Sequence, residues 1–232
     1  MSWSEAEVEA ILELMRAGAT AQTGGSRCHT TYLFRDGAWA QESFDEGYTS
    51  ESPASEDAIR RLIEREPELF RNVLAAPRWR RFSAAFLAGE RDVAREALRS
   101  ALEYGDSLGH GRLLEAVLGW PEEAPSEEVV KAIRDNLRGF TAYHVFMGAA
   151  GWDRSPATGT KGVAFADELR AMVGEARGIH YLRAAFLQQA GDLAAAEREM
   201  LEEIARLPEG DGDRSHHVDQ LERIRRRARE AG

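Results

Sequence analysis

The stretch Arg177–Pro208, RGIHYLRAAFLQQAGDLAAAEREMLEEIARLP, constrains the fold of this chain more than any other. Ile179, Leu182, Ala185 and Phe186 recur at helical spacing, and so do Leu193, Ala196, Met200, Ile204 and Leu207. Gly191-Asp192 separates the two sets. Glycine accepts the positive φ at which helices end, and aspartate caps the helix that follows. The spacing predicts a helix, a two-residue corner and an antiparallel partner helix. Each helix has one apolar face, so the hairpin cannot bury itself and must pack against other elements.

In this stretch Ala184, Gly191-Asp192, Ala196, Met200 and Pro208 fall where a tetratricopeptide repeat has its small residue, corner, second small residue, bulky residue and closing proline. The stretch resembles one such repeat. Arg183 and Glu203 stand where that pattern has apolar or small residues. The resemblance implies the local hairpin geometry. It implies no ligand, because families with this repeat bind peptides in a concave groove that one repeat does not form.

The rest of the chain follows the same helical logic. Ala, Glu, Leu and Arg dominate, and they favour helix. Ser4 with Glu7 forms a capping-box pattern ahead of Val8, Ile11, Leu12, Leu14 and Met15, which supply the buried side, and Gly18 is a stop. Ser55 is placed to cap a helix over Glu56–Glu66. Pro67 opens the next helix, which is expected to end near Ala76. Pro77 is then expected to start a new hairpin, Arg78–Ala88 and Asp92–Tyr104. Further helices are predicted at Leu108–Leu118, Ser126–Arg138, Phe140–Ala149, Val163–Gln189 (with a break near Gly174 or Gly178) and Val218–Ala231. The tetrapeptide Ala-Ala-Phe-Leu occurs at 84–87 and again at 184–187, which suggests a degenerate helical repeat.

One β segment interrupts the pattern. Tyr32-Leu33-Phe34 and Ala38-Trp39-Ala40 flank Asp36-Gly37, a pair suited to the primed turns of hairpins. A lone hairpin is marginal in water, so it is expected to lie on helices and insert Tyr32, Phe34 or Trp39. Thr20–Arg27, the segment GYTSESPAS, and Trp152–Gly162 read as loops. The expected fold is mainly α: a multi-helix array or bundle of helical hairpins with one small N-terminal β-hairpin. The expected division is 1–76 and 77–232, packed as one unit.

Charge and cysteine usage narrow the function. The net charge of −10 disfavours non-specific binding to nucleic acid or to an anionic membrane, and permits a basic protein partner. The five arginines of Arg223–Arg229 read as a solvated face near a helix C-terminus. The single cysteine excludes an internal disulfide and suits a reducing compartment. With no signal segment and no long apolar run, the expectation is a cytoplasmic protein.

Chemistry-bearing motifs are sparse. Cys28-His29 lacks the geometry of a nucleophile and its base, because neighbours on a strand point to opposite faces. The histidines form no zinc spacing, and His216-His217 with Asp211, Asp213 and Asp219 reads as a solvated linker. Gly159-Thr160-Lys161-Gly162 lacks the order of a phosphate loop. No catalytic residue, metal site or cofactor is assigned, and the balance leans away from an enzyme. Asp36–Ile59, in contrast, holds seven acids and no lysine or arginine. Trp39, Glu42, Phe44, Asp45, Glu46, Tyr48 and Glu51 together read as a docking face for a basic protein, in which rings bury area and charges steer association.

The favoured reading is thus a non-enzymatic interaction module, immunity-like or regulatory. One alternative is a small-molecule sensor or hydrolytic enzyme with a pocket between helices near Tyr143, His144 and His180. The other is a structural protein that forms homo-oligomers through exposed helical faces.

Overall fold

The computed structural model describes residues 3–104 and 111–231. Among them are eleven helices and one small antiparallel sheet near the N-terminus, so the chain is mainly α. The chain divides into two compact units. The first takes in residues up to Arg80 and returns at Arg99; the second takes in Arg81–Leu98 and the chain beyond residue 110.

In the first unit, α1 (Glu5–Arg16) begins at the Ser4–Glu7 capping box and stops before Gly18, whose φ is +98°. The strands β1 (Ala21–Gly24), β2 (Cys28–Arg35), β3 (Ala38–Asp45) and β4 (Tyr48–Ala54) form a meander in the order β1-β2-β3-β4. The expected hairpin is therefore the centre of a four-stranded sheet. Two segments read as loops are its edges. β4 is exposed along almost its whole length, so it shows none of the apolar alternation by which a strand is recognised. Its Pro53 is tolerated because the strand lies at the edge. β1 is only four residues long. The turns at Asp36-Gly37 and Glu46-Gly47 both hold two consecutive positive φ angles, +54° with +79° and +43° with +99°, as a primed turn requires.

Cross-strand pairing puts Phe34 opposite Trp39 and Tyr32 opposite Gln41, on the face turned toward the helices. There Trp39 joins Ile11, Leu12 and Met15 of α1, Ile59 and Ile63 of α2 (Glu56–Arg65), and Phe70 and Val73 of α3 (Pro67–Ala88) in one core. Tyr32 and Phe34 pack against it.

The helix α3 runs unbroken through Pro77, where the sequence suggests a new start. Proline inside a helix costs about 3 kcal/mol. Burial of Phe70, Val73 and Leu74 before it and of Phe82 and Ala85 after it offsets that cost. Arg78 Nη1 also donates to the Leu74 carbonyl at 2.5 Å, beside the gap that Pro77 leaves in the ladder.

The second unit contains α4 (Arg91–Leu102) as far as Leu98, α5 (Gly111–Gly119), α6 (Glu127–Asn136), α7 (Gly139–Ala149), α8 (Pro156–Val173), α9 (Ile179–Ala190), α10 (Leu193–Arg206) and α11 (Arg214–Ala231). Of the helix predicted at Leu108–Leu118, Leu108, Gly109 and His110 lie outside the described residues. The predicted break between α8 and α9 occurs at Gly174 and Gly178, with φ of +77° and +85°. α9 and α10 form the predicted hairpin: Gly191 has φ +94° and Asp192 accepts from the Ala195 N–H at 2.9 Å. The two Ala-Ala-Phe-Leu segments do not bury equivalent positions, for Ala85 is buried in the first and Ala184 in the second.

Two expectations are corrected here. Trp152–Gly162 is not all loop, because α8 starts at Pro156 with Ser155 as its cap. Its Gly159 and Gly162 serve close packing. A Cβ on Gly159 would lie 2.5 Å from the Ala190 N, and one on Gly162 would lie 2.2 Å from the Phe186 ring. Similarly, α11 begins at Arg214, so His216 and His217 belong to a helical turn and not to a solvated linker.

Candidate functional site

The residues of the expected acidic docking face are divided by the sheet. Trp39 is 7% exposed and belongs to the core of the first unit. Its Nε1 donates to Glu56 at 3.4 Å. On the opposite face, Arg35 bridges Glu42 at 3.0 Å and Glu51 at 2.5 Å, and Phe44 stacks on His29 with ring centroids 5.0 Å apart. Glu56 pairs with Arg16 at 2.5 Å, and this contact holds its carboxyl below the usual carboxylate range. Arginines from outside the acidic segment thus neutralise three of its seven acids. Asp45, Glu46 and Tyr48 remain together at the β3–β4 turn. Tyr48 is 83% exposed, and the Asp45 carboxylate accepts from Cys28 Sγ at 2.9 Å. That contact raises the thiol pKa.

Tyr143, His144 and His180 do not converge. Tyr143 Oη donates to Gln189 at 3.3 Å, and burial pushes its pKa up. His144 lies between Phe140 and Trp152, with centroid distances of 4.2 and 5.3 Å. Both flanking rings are half exposed, and Trp152 has a φ of +60°, an uncommon angle for a bulky residue. His180 is buried between two carboxylates, Glu199 at Nδ1 (2.6 Å) and Glu175 at Nε2 (3.0 Å). Arg206 reaches Glu175 at 2.6 Å, Arg170 also contacts Glu175, and Arg183 contacts Glu199. The Arg170 contact chiefly holds the Glu175 carboxyl at about 2. His180 is the centre of an ion-pair network that joins α9 to α10.

The converging polar groups lie one residue away from these. A cavity of about 330 Å³ is lined by the first turns of three helices: Arg138, Gly139, Phe140 and Thr141 at α7, Gly178 and Tyr181 at α9, and Asp213, His216 and His217 at α11. Arg177 and Glu203 complete the wall. Two glycines let the helix ends meet. A Cβ on Gly139 would lie 2.3 Å from the Gly178 carbonyl oxygen, and one on Gly178 would lie 2.4 Å from the Gly139 N.

Each helix start exposes N–H groups and the positive end of a dipole. α9 begins at a glycine, which has no capping side chain, and Glu203 of α10 supplies the missing acceptor. Its carboxylate, 2% exposed, accepts from the Gly178 N–H at 2.9 Å and the Tyr181 N–H at 3.3 Å. Before α11, Asp211 accepts from the Asp213 N–H at 2.9 Å, which is the main cause of its lowered pKa. Arg177 bridges Asp211 and Asp213, each at 2.7 Å. At α7 no side chain caps the helix.

The inner wall is aromatic. Tyr181 is buried, and its ring lies 4.8 Å from that of His217. Its hydroxyl is 3.4 Å from His216 Nε2, and burial raises its pKa. His217 is 8% exposed, and its buried Nδ1 has no hydrogen-bond partner. Desolvation lowers its pKa, against the opposing fields of Glu203 and Asp213.

A second cavity, about 280 Å³ and lined by Phe86, Val117, Leu118, Phe146 and Phe165, has its cations already committed. Arg91 donates to the carbonyls of Val117, Leu118 and Trp120, and Lys161 donates to that of Leu87.

The sequence signal for this cavity is Glu203, a carboxylate on the apolar stripe of a predicted helix. Among the described residues no helix is long and apolar enough to cross a membrane. No protein-family model, no curated protein and no solved structure matches this chain.

Proposed function

We propose that this protein is a small-molecule-binding helical module, with its site in the cavity where α7, α9 and α11 begin. One observation carries the reading. His217 is nine-tenths buried in the cavity wall, and its ring Nδ1 has no hydrogen-bond partner among the described residues. Buried polar groups are almost always paired, because an unpaired one costs about 1–3 kcal/mol. A ligand in the cavity would supply the partner. The volume suits a small metabolite, and the wall combines aromatic surface with a few polar groups, as binding pockets do. The test is a fragment screen by NMR on the full chain with labelled histidine. Ligands that shift His216 and His217 together support the reading. A screen that leaves both unmoved rejects it.

A second reading, docking of a basic protein, draws support from the β3–β4 turn. There Tyr48 stands almost fully exposed beside Asp45 and Glu46, neither of which pairs with a cation among the described residues. Pull-down at low and high salt, followed by Asp45→Lys with Glu46→Lys, tests it. Association with a captured partner should slow and lose salt dependence. Unchanged kinetics reject this face.

A further inference from the structure

The cavity's charges are matched, except at one wall. Arg177 is balanced by Asp211 and Asp213, and the end of α9 is balanced by Glu203. At α7 the N-terminal dipole meets no side-chain acceptor, and Ala142 is the first residue whose N–H reaches a helical carbonyl, that of Arg138. Arg138, the residue at which α7 opens, lines the cavity there. It has no carboxylate partner among the described residues, and it donates only to its neighbour's carbonyl, Leu137 O, at 3.3 Å. Thr141 adds a hydroxyl to the same wall. A helix start of this kind attracts anions. The unpartnered His217 on the facing wall is an independent sign that a ligand belongs here.

Resting on the proposed small-molecule site, we infer that its ligand is a monocarboxylate with a planar ring, the carboxylate seated on the first turn of α7 against Arg138 and Thr141. The single charge follows from the balance of the wall. One guanidinium and one helix end are open, whereas Glu203 and Asp213 would repel a dianion such as a phosphate monoester. The planar ring follows from the aromatic surface of Phe140, Tyr181 and His216, which line the remainder of the cavity. His217 receives or donates the one hydrogen bond it lacks.

The experiment titrates benzoate, benzamide and inorganic phosphate into the full chain, read by histidine NMR and calorimetry. Benzoate should shift the His217 signals saturably, and benzamide should bind about tenfold more weakly or worse. Arg138→Gln should weaken benzoate by a similar factor and leave benzamide unchanged. Because Arg138 is exposed, the variant should fold, and Thr141→Val offers a second route with the same expected direction. If benzamide matches benzoate, or if both variants bind benzoate normally, the anionic assignment falls while the small-molecule reading stands. If phosphate binds tighter than benzoate, the single charge is wrong. If none of the three moves His217, the inference is overturned, and the wider fragment screen then decides separately whether the cavity binds anything.

Discussion

Glu203→Ala offers the most direct test of how the second unit is held together. The Glu203 carboxylate takes the place of an N-cap side chain that Gly178 cannot supply, with N–H contacts of 2.9 and 3.3 Å. Loss of an N-cap costs about 0.5–2 kcal/mol. Hydrogen bonds to a charged group contribute about 1.5–3 kcal/mol, and the longer of these two lies at the weak end. The alanine variant also leaves two buried N–H groups without an acceptor. A total near 3 kcal/mol follows, or a fall in Tm of about 6–12 °C for a chain of this length. Glu203→Gln keeps one acceptor and should lose about half as much. Thermal and urea denaturation give the global cost. Hydrogen exchange gives the local one, and the amides of Gly178 and Tyr181 should lose protection before the rest of α9. If Glu203→Ala melts with the wild type and those two amides stay protected, the cap argument is wrong. The glutamine variant also probes the cavity with the opposite sign. Removing a negative charge from the wall should tighten benzoate, whereas a merely loosened site would weaken it.

Gly162→Ala should cost about 1–3 kcal/mol, because the Phe186 ring must move out of a 2.2 Å overlap, and Gly159→Ala should cost more, because its overlap is with the Ala190 backbone; denaturant midpoints check both. Trp39→Ala should destabilise the first unit by about 3–5 kcal/mol, since the ring is in the core, while Tyr48→Ala should change stability by less than about 0.5 kcal/mol. Acid should weaken the α9–α10 network through Glu175. Its folded pKa of about 2 lies below the unfolded value of 4.5, so its contribution is complete above pH 4.5 and is lost as the pH falls toward 2. The group is nearly half exposed and solvent screens it, so the loss is small. Melting curves between those two pH values should be flatter for Glu175→Gln.

The apolar residues announced the helices, and they did so reliably where periodicity was long. The capping boxes, the Gly191-Asp192 corner and the break at Gly174 and Gly178 follow from the same local chemistry. What stayed hidden was set by distant partners. β4 is an edge strand with no buried alternation, so only its pairing with β3 identifies it. Pro77 reads as a helix start because nothing local reveals the burial on both sides of it. Gly159 and Gly162 look like a flexible connector, yet they exist to admit Ala190 and Phe186. His180 faces the ion pairs of α10, whereas its neighbour Tyr181 faces the cavity, a distinction that helical spacing alone does not reveal.

The two residues that depart from the repeat-like pattern of the hairpin show why polar exceptions deserve more weight than apolar agreements. An apolar residue at 203 would fill the same space between α9 and α10, and the hairpin would still have one buried face. It could not accept two N–H groups, so α9 could not start at a bare glycine. Without a glycine at 178, the start of α7 could not approach within contact of the Gly178 carbonyl. Arg183, the other exception, ties Glu199 of α10 to Asp167 of α8, the latter at 2.6 Å. The apolar positions therefore specify a generic hairpin that many sequences could adopt. Glu203 and Arg183 fix where its neighbours stop, and Glu203 in particular makes room for a cavity flanked by helix starts. A small acceptor-bearing ligand is the group whose chemistry would complete the start of α7, which has no side-chain cap.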